Sequence, residues 1–393
     1  MATDLKTLAR AASELPVSGI RRFFDVAAQM QDVISLGVGE PDFFTPWHIR
    51  EAAIYSLERG QTTYTSNHGL IELRREIASH LQERYGVSYA PEDEVLITVG
   101  VSEGLDLAMR TLLDPGDEVL VPEPSYVSYK PCVTLAGGVP VGVETTAAER
   151  FRVTVANLEK HTTPRTKAIL LGYPSNPTGA TMPAAALAEI VEFAARRGLY
   201  IVSDEIYDRL TYDEVHTCVA SVKGARARTI LLNGFSKAYA MTGWRVGYVC
   251  APREIVSVMT RIHSYTMLCA PILSQKAALE ALRSGEPEVL EMVAQYGQRR
   301  RLIVDGLNEI GLKCHMPAGA FYAFPSIEST GLSCEDFAER LLFQERVAVV
   351  PGTAFGAGGQ GHIRCSYATA IEKIDIALTR MKKFVDSLAV KVG

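Results

Sequence analysis

The sequence predicts an α/β fold: a three-layer large domain built on a mostly parallel, seven-stranded sheet, plus a smaller α+β domain. From Glu94 onward, seven short apolar runs alternate with helical segments, which is typical of parallel strands covered on both faces. The 393 residues also exceed the length at which a single core stops growing, which favours two domains. We expect a large domain at 46–275 and a small domain formed by 1–45 plus 276–393.

The chain before the first of these runs is mainly helical in pattern. Residues 1–30 predict two amphipathic helices, and a short apolar strand then leads into a Gly-Glu-Pro-Asp turn. Thr45 followed by Pro46 is typical of a helix N-cap and first helical position, so a helix is expected there. A further helix should end at Gly86, because glycine favours the conformation that closes a helix.

The seven predicted strands occupy the middle of the chain. They are the runs EVLITVG, EVLVPEPSY, VPVGVE, KAILLGYPSNP, LYIVSDEIY, TILLNGFSK and RVGYVCAP. Beyond about residue 275 the pattern changes to a long helix, then GAFYAFPSI, a helix, the strands RVAVVPG and HIRCSYA, and a last helix. This mixture indicates the smaller α+β unit.

Composition excludes several function classes. Hydrophobic residues make up 47% and charged residues 22%, as in an ordinary globular protein, and the net charge of -5 argues against a nucleic-acid partner. No apolar run is long enough to cross a membrane, and the N-terminus lacks a signal-peptide pattern, so we expect a cytoplasmic protein without a membrane partner. The seven cysteines and eight histidines show no metal-ligand spacing, so no metal is expected.

Polar residues at the carboxyl ends of the strands are the candidate functional residues, because parallel sheets bind ligands at that edge. Gly100, Val101 and Ser102 precede a helix, where free backbone N–H groups favour an anion, although many strand-to-helix turns look alike. Tyr126 at the next exit offers a ring on which a flat ligand stacks, or it is simply a packed tyrosine. Asn176 lies in a proline-bounded turn and offers a donor and an acceptor; a structural role alone is the alternative.

The run LYIVSDEIY gives a sharper indication. Asp204 follows a buried strand, and a carboxylate rarely approaches a core unpaired. Such a group keeps a pyridine nitrogen protonated and turns the ring into an electron sink, while Tyr207 hydrogen-bonds a phenolic oxygen. Helix capping by Asp204 is the competing explanation.

The run TILLNGFSKAYAMTGWRVGYVC places Lys237 at a strand end, with Arg245 eight residues later. A lysine in an apolar setting loses hydration, so its pKa falls and its amine becomes a nucleophile able to form a Schiff base. Arginine offers a planar donor fork that suits phosphate. Taken alone, Lys237 is more simply a solvated turn lysine, but together with the other exits it completes the groups that pyridoxal phosphate needs.

These motifs identify a family resemblance. GEPDF-x-TP, YPSNPTG, SDEIY, GFSKAYAMTGWRVGY and IRCSYA together resemble the class I and II aminotransferases of pyridoxal-phosphate fold type I, especially the prokaryotic aspartate and aromatic branch. The resemblance covers nearly the whole chain from about Ser18. It implies the cofactor pyridoxal 5'-phosphate, amino acid and 2-oxo acid substrates, and a homodimer with shared active sites.

The resemblance also implies a role for each site residue. Lys237 would be the Schiff-base lysine and general base, with Asp204 at the ring nitrogen, Asn176 and Tyr207 at the ring oxygen and Tyr126 stacked on the ring. The phosphate would be held by Val101, Ser102, Ser236 and Arg245, and by Tyr64 reaching across to the partner subunit. Arg364 would grip the substrate α-carboxylate with help from Gly39 and Asn176.

Two features depart from or compete with this interpretation. Many relatives have a hydroxyl residue three positions before the lysine, where this chain has Gly234, so either Ser236 and water make the contact or the phosphate binds more weakly. Gly356, Gly358 and Gly361 match the dinucleotide pattern G-x-G-x-x-G, but that motif must open a helix and HIRCSYA reads as a strand. We interpret these glycines as a flexible loop that delivers Arg364.

The predicted reaction is transamination between an L-amino acid of aspartate or aromatic type and a 2-oxo acid, with 2-oxoglutarate the expected acceptor. Two alternatives stay open. One is a carbon-sulfur β-lyase that uses the same cofactor. The other is a cofactor-binding regulator, which is disfavoured because the chain is acidic and the stretch before GEPDF is too short for a DNA-binding domain. Substrate choice should depend on Val17 to Phe24, including Arg21 or Arg22, and on Asn67 and His68 across the dimer interface. Acylated diaminopimelate also remains a candidate substrate.

Overall fold

The computed structural model describes residues 8–15 and 30–389, so the predictions made for Val17 to Phe24 lie outside the described residues. Its strands in chain order are β1 Ile34–Ser35, β2 Val95–Thr98, β3 Glu118–Glu123, β4 Val139–Glu144, β5 Thr166–Gly172, β6 Tyr200–Asp204, β7 Thr229–Gly234, β8 Gly247–Cys250, β9 Tyr322–Ala323, β10 Val347–Ala348, β11 Val350–Pro351 and β12 Ile363–Ser366. The helices are α1 Arg10–Ser13, α2 Trp47–Glu58, α3 Ile71–Tyr85, α4 Gly100–Leu112, α5 Tyr129–Leu135, α6 Val155–His161, α7 Ala184–Arg197, α8 Arg253–Thr266, α9 Ile272–Ser284, α10 Glu286–Glu309, α11 Cys334–Glu345 and α12 Ile371–Ala389.

The large sheet contains all seven strands predicted from the apolar runs. Their order is β2-β8-β7-β6-β5-β3-β4, and β8 runs antiparallel to both of its neighbours while the other pairs are parallel. Every residue of β2, β3, β7 and β8 is buried, whereas the edge strand β4 is partly exposed. The prediction of a mostly parallel sheet is therefore confirmed.

Helices cover both faces of this sheet because alternate side chains of each strand point in opposite directions. Along β5, Ala168 and Leu170 join the apolar cluster that contains residues of α4 and α8. Ile169 and Leu171 join the cluster that contains residues of α7. The result is the predicted three-layer arrangement.

The chain beyond residue 285 forms smaller sheets packed with long helices. Strands β11, β12 and β9 make an antiparallel sheet, and β1 pairs in parallel with β10, where Ile34 lies opposite Val347. Arg299 of α10 also binds Asp42, with Nη1 2.7 Å from Oδ1. These contacts join residues near the N-terminus to the last third of the chain, while the domain boundaries at 45 and 275 stay a prediction.

The prediction that Thr45 caps α2 is wrong. No side chain caps this helix, and Pro46 occupies the N-cap position. The Thr45 hydroxyl instead donates to the Ala240 carbonyl at 2.6 Å and accepts from Trp244 Nε1 at 3.0 Å. The Thr45 hydroxyl therefore makes tertiary hydrogen bonds in place of the predicted cap. These bonds connect the start of α2 to the segment after Lys237. The predicted end of α3 at Gly86 is confirmed, since Gly86 has φ 69°.

The topology brings the predicted site residues to one edge of the sheet. β3, β5, β6 and β7 all end there, and because β8 runs the opposite way, it begins there: Gly234 lies opposite Gly247. Asp204, at the end of β6, and Arg245, just before β8, therefore lie at the same edge of the sheet. Among the described residues, no helix has the length and apolar character needed to cross a membrane.

Candidate active site

A cavity of about 960 Å³ opens at the carboxyl edge of the large sheet. Eleven of the twelve site residues predicted from the sequence line it: Gly39, Val101, Ser102, Tyr126, Asn176, Asp204, Tyr207, Ser236, Lys237, Arg245 and Arg364. They come from segments far apart in the chain, so the parallel topology accounts for their meeting. Tyr64 is the exception.

Lys237 lies in the turn that follows β7 and projects into the cavity between apolar neighbours. Its Nζ donates a hydrogen bond to the Gly39 carbonyl at 2.7 Å and lies 5.8 Å from the ring centres of both Tyr207 and Phe321. Burial lowers the pKa of the Lys237 ammonium to about 8, because the charged form loses hydration. About a tenth of the molecules thus carry a neutral amine at pH 7, far more than for an exposed lysine, and this amine can act as a nucleophile or base.

Asp204 ends β6 and is almost fully buried. Its Oδ2 accepts from the Tyr129 hydroxyl at 2.9 Å and its Oδ1 from the Ile206 backbone N–H at 3.2 Å. Burial raises the pKa of this carboxyl to about 6, although the two hydrogen bonds favour the ionised form. Helix capping does not explain Asp204, because the residues after it form turns rather than a helix.

Tyr207 shares a hydrogen bond with Tyr322, with 2.8 Å between the two hydroxyl oxygens. Both side chains are buried, and burial raises the pKa of the Tyr207 phenol, so it stays protonated and able to donate. The Tyr322 hydroxyl lies where a side chain at Gly39 would begin: a Cβ there would come within 2.3 Å of it. Glycine at 39 is therefore required for the backbone to approach this pair.

Arg364 in β12 is 4% exposed and is held in one orientation. Its Nη1 donates to Asn176 Oδ1 at 2.9 Å and its Nη2 to the Gly37 carbonyl, while the guanidinium carbon lies 4.5 Å from the ring centre of Tyr322. Its buried Nε has no hydrogen-bond partner within residues 8–15 and 30–389. A planar cation with an unused buried donor suits a carboxylate ligand. The Gly39 carbonyl accepts from Lys237 Nζ, and the predicted role of Gly39 beside Arg364 stays a prediction.

The opposite end of the cavity has the features of an anion site. Helix α4 begins at Gly100, so the N–H groups of its first turn, including those of Val101 and Ser102, have no acceptor within the helix. Arg245 lies directly beside this turn: a Cβ at Gly100 would come within 2.6 Å of Arg245 Nη2. Ser236 also lines the cavity. A helix N-terminus, a hydroxyl and an arginine together favour a phosphate.

The packing of the strands explains why position 234 is a glycine, which the sequence alone did not reveal. A Cβ at this position would lie 2.9 Å from Gly247 Cα and 3.3 Å from Val101 Cγ2. Strands β7 and β8 approach each other too closely here to admit a side chain next to α4. A hydroxyl residue therefore does not fit at 234 in this chain, and Ser236 is the nearby hydroxyl that lines the cavity.

Sequence reasoning missed Tyr129 and Tyr322. Tyr129 bonds Asp204 and packs edge-on against Tyr126, with ring centres 5.6 Å apart. Its place three residues after Tyr126 was the available signal, but the contact with Asp204 spans 75 positions and no local pattern reports it. The same holds for Tyr322, which meets Tyr207 across 115 positions.

Tyr64 lies outside the cavity and is 81% exposed. The segment after it is fixed to α8, where Asn67 Nδ2 donates to Ser264 Oγ at 2.5 Å and His68 Nε2 lies 3.3 Å from Thr260 Oγ1. A single chain thus presents Tyr64 outward on an anchored segment. Its predicted contact with the phosphate of a partner subunit stays a prediction.

Comparisons with known proteins agree with this geometry. The family model for aminotransferase class I and II matches residues 31–381. The chain is 54% identical to the putative aminotransferase YugH of Bacillus subtilis, covering 95% of this chain and 96% of that protein, and 46% identical to the aspartate aminotransferase of Pyrococcus abyssi, covering 93% and 95%. Its fold matches the crystal structure of the aromatic aminotransferase from Pyrococcus horikoshii with a TM-score of 0.89 and 43% identity, covering 94% of this chain and 99% of that one.

The family model matches almost the whole chain, and the site contains a buried lysine and a buried arginine at the carboxyl edge of the sheet. Together these observations establish the family of this chain. This chain belongs to the class I and II aminotransferases and is a transaminase.

Proposed function

We propose that this transaminase uses pyridoxal 5'-phosphate to move an amino group between an L-amino acid of aspartate or aromatic type and 2-oxoglutarate. The observation that carries the proposal is one cavity holding three groups: Lys237 with a lowered pKa, Asp204 with a raised one, and the buried Arg364. The printed names of two similar proteins, an aspartate and an aromatic aminotransferase, support the substrate class.

The residues present fit this cofactor. The free N–H groups at the start of α4, with Arg245 and Ser236, form a cradle for its phosphate, and Tyr126 offers a face to its ring. Asp204 would hold the proton on the ring nitrogen, and Tyr207 and Asn176, which line the same cavity, would donate to the ring oxygen. When bound, pyridoxal phosphate supplies an aldehyde that condenses with amines and a ring that withdraws electrons from the α-carbon of the amino acid.

Arg364 and Lys237 account for the two remaining functions, substrate binding and proton transfer. Arg364 holds the α-carboxylate of the substrate through two parallel N–H donors, which fixes the orientation of the α-carbon. Lys237 Nζ, whose pKa is lowered to about 8, would then remove the α-proton as a general base and hold it on Nζ for later donation as a general acid. The buried walls formed by Tyr207 and Tyr322 limit the access of water to this proton.

The experiment that tests the proposal is a panel of amino donors assayed with 2-oxoglutarate. Aspartate, the aromatic amino acids and acylated diaminopimelate are compared by glutamate formed per minute. We expect aspartate or an aromatic amino acid to lead the panel. Pyruvate and ammonia released without an added 2-oxo acid would instead assign the chain to the β-lyase reaction, and activity with no member of the panel would overturn the proposal.

We also propose that the protein acts as a homodimer with shared active sites. The support is the exposure of Tyr64 on an anchored segment, among other exposed aromatic side chains such as Tyr265 at 92%. Tyr64 would reach the phosphate of the partner subunit. Sedimentation of the protein should then report two chains per particle.

The raised pKa of Asp204 predicts a pH-dependent stability in the cofactor-free protein. Because the folded pKa, about 6, exceeds that of an unfolded aspartate, the folded state binds more protons between about pH 4 and 6, and stability falls as pH rises through that window. Asp204→Asn removes the buried charge, so we expect it to raise the free energy of unfolding by about 1–3 kcal/mol at pH 8 and about half as much at pH 5. Urea unfolding at both pH values measures the difference.

The control for this prediction is the exposed carboxylate Asp375. Asp375→Asn should change the unfolding free energy little at either pH. A cofactor-free Asp204→Asn protein that is less stable than the wild type at pH 8 would contradict the assignment of a buried, destabilising carboxylate.

A further inference from the structure

We propose that Glu123 is a positioning residue for substrate binding: it fixes the glycine-rich loop 356–361 so that Phe355 holds the guanidinium of Arg364 in place for the α-carboxylate. The inference rests on the proposed function, since it assumes that Arg364 binds that carboxylate. It also gives a role to the glycine pattern that a dinucleotide site does not explain.

Glu123 is a buried carboxylate at the carboxyl end of β3, and it is 3% exposed. An ionised group in such a place must be paired, and Glu123 has two partners. Its Oε1 forms an ion pair with Lys130 Nζ, and its Oε2 accepts from the backbone N–H of Ala357 at 3.2 Å. The second bond crosses from the large sheet to the loop, over 234 positions of sequence.

The loop lies so close to Glu123 that only glycine fits at the contact. A Cβ at Gly356 would come within 2.4 Å of Glu123 Cδ, and a Cβ at Gly358 within 2.6 Å of the Glu123 carbonyl oxygen. On the other side, a Cβ at Gly142 of β4 would lie 2.9 Å from Glu123 Oε2. Gly356 also has φ 110°, a conformation that other residues rarely adopt. Gly356 and Gly142 therefore enclose the carboxylate of Glu123, and Gly358 packs against its backbone carbonyl.

The loop is connected to Arg364 through Phe355. The Phe355 carbonyl accepts from the Ser125 backbone N–H at 2.9 Å, and its ring, 2% exposed, lies 4.9 Å from the guanidinium carbon of Arg364. Tyr322 packs on the guanidinium as well, at 4.5 Å. Since Nη1 and Nη2 have other partners, loss of the Phe355 wall would loosen the orientation of the guanidinium without removing its charge.

Glu118 provides a matched control at the opposite end of the same strand. It is 4% exposed and paired with Arg165, whose Nη2 lies 2.8 Å from Glu118 Oε1. Both residues are thus buried, ion-paired glutamates of β3, but Glu118 does not line the cavity. A purely structural effect should appear at both positions, whereas a positioning effect should appear only at Glu123.

The test compares the holoenzyme with its Glu123→Ala, Glu123→Gln and Glu118→Gln variants, using the best donor of the panel above. The variants are also titrated with a carboxylic acid that lacks the amino group, 3-phenylpropionate for an aromatic donor or succinate for aspartate. For Glu123→Ala we expect KM and the Kd of this acid to rise about tenfold with kcat within about twofold of the wild type, because orientation of the carboxylate is lost and the base is not. Glu123→Gln should show a smaller rise, and Glu118→Gln none.

Unchanged KM and Kd in both Glu123 variants of an active enzyme would overturn the inference. An equal rise in Glu118→Gln would overturn it too, because general destabilisation would then explain the result. A wild-type protein without transaminase activity would instead count against the proposed function, so the two failures are distinguishable.

Discussion

Replacing Lys237 with alanine is expected to lower the rate of transamination by at least about 10⁴-fold, since the variant loses both the nucleophile and the general base. In the wild type, Nζ lies 2.7 Å from the Gly39 carbonyl in a largely apolar setting, and the other lysine that lines the cavity among the described residues, Lys130, is ion-paired with Glu123. The measurement is glutamate formation with the best amino donor. The absorbance of the added cofactor should also lose its sensitivity to borohydride.

Lys223→Ala is the control for this result, because Lys223 is exposed and remote from the cavity lining. It should retain full activity. Comparable thermal unfolding of the two variants would show that the Lys237 variant is folded. Normal turnover in folded Lys237→Ala protein would exclude the proposed chemistry.

Arg364→Ala is expected to raise KM for the amino acid and the 2-oxo acid by on the order of 100-fold, because truncating one partner of a buried charge pair typically costs 2–5 kcal/mol. Both substrates carry the same α-carboxylate, so both should be affected. The change also leaves Asn176 Oδ1 and the Gly37 carbonyl without their donor. Initial rates at varied concentrations of each substrate give the two KM values.

Arg364→Lys separates charge from geometry. Lysine keeps the positive charge but lacks the planar fork, so we expect KM to recover only partly. Complete recovery would show that charge alone binds the substrate. Unchanged KM in Arg364→Ala would mean that another residue receives the carboxylate.

The sequence predicted the large sheet well because its strands are buried on both faces. Continuous apolar runs such as TILLNGF and LYIV are typical of such strands, and each of these runs overlaps a strand of the structure and ends within two residues of that strand's end. The site followed from the same rule, since parallel strands bring their carboxyl ends to one edge. Asp204 and Lys237 could be placed together without any knowledge of side-chain contacts.

Contacts between distant segments were beyond local patterns. Thr45 has the sequence context of a helix cap, yet its hydroxyl bonds Ala240, 195 positions away. Tyr129 was not among the predicted site residues, and only the fold shows that it bonds Asp204. Gly234 appeared to be a missing phosphate contact, whereas the close approach of Gly247 excludes any side chain there. In each case the spacing between packed elements, rather than the residue type, decides the outcome.

Lys237 should carry the cofactor through its Nζ. The most direct measurement is to load the protein with pyridoxal phosphate, reduce it with sodium borohydride, digest it and locate the modified peptide by mass spectrometry. We expect a single pyridoxyl group on Lys237, in the peptide that follows β7. A group on another lysine of the cavity, such as Lys130, or no modified peptide at all, would contradict it.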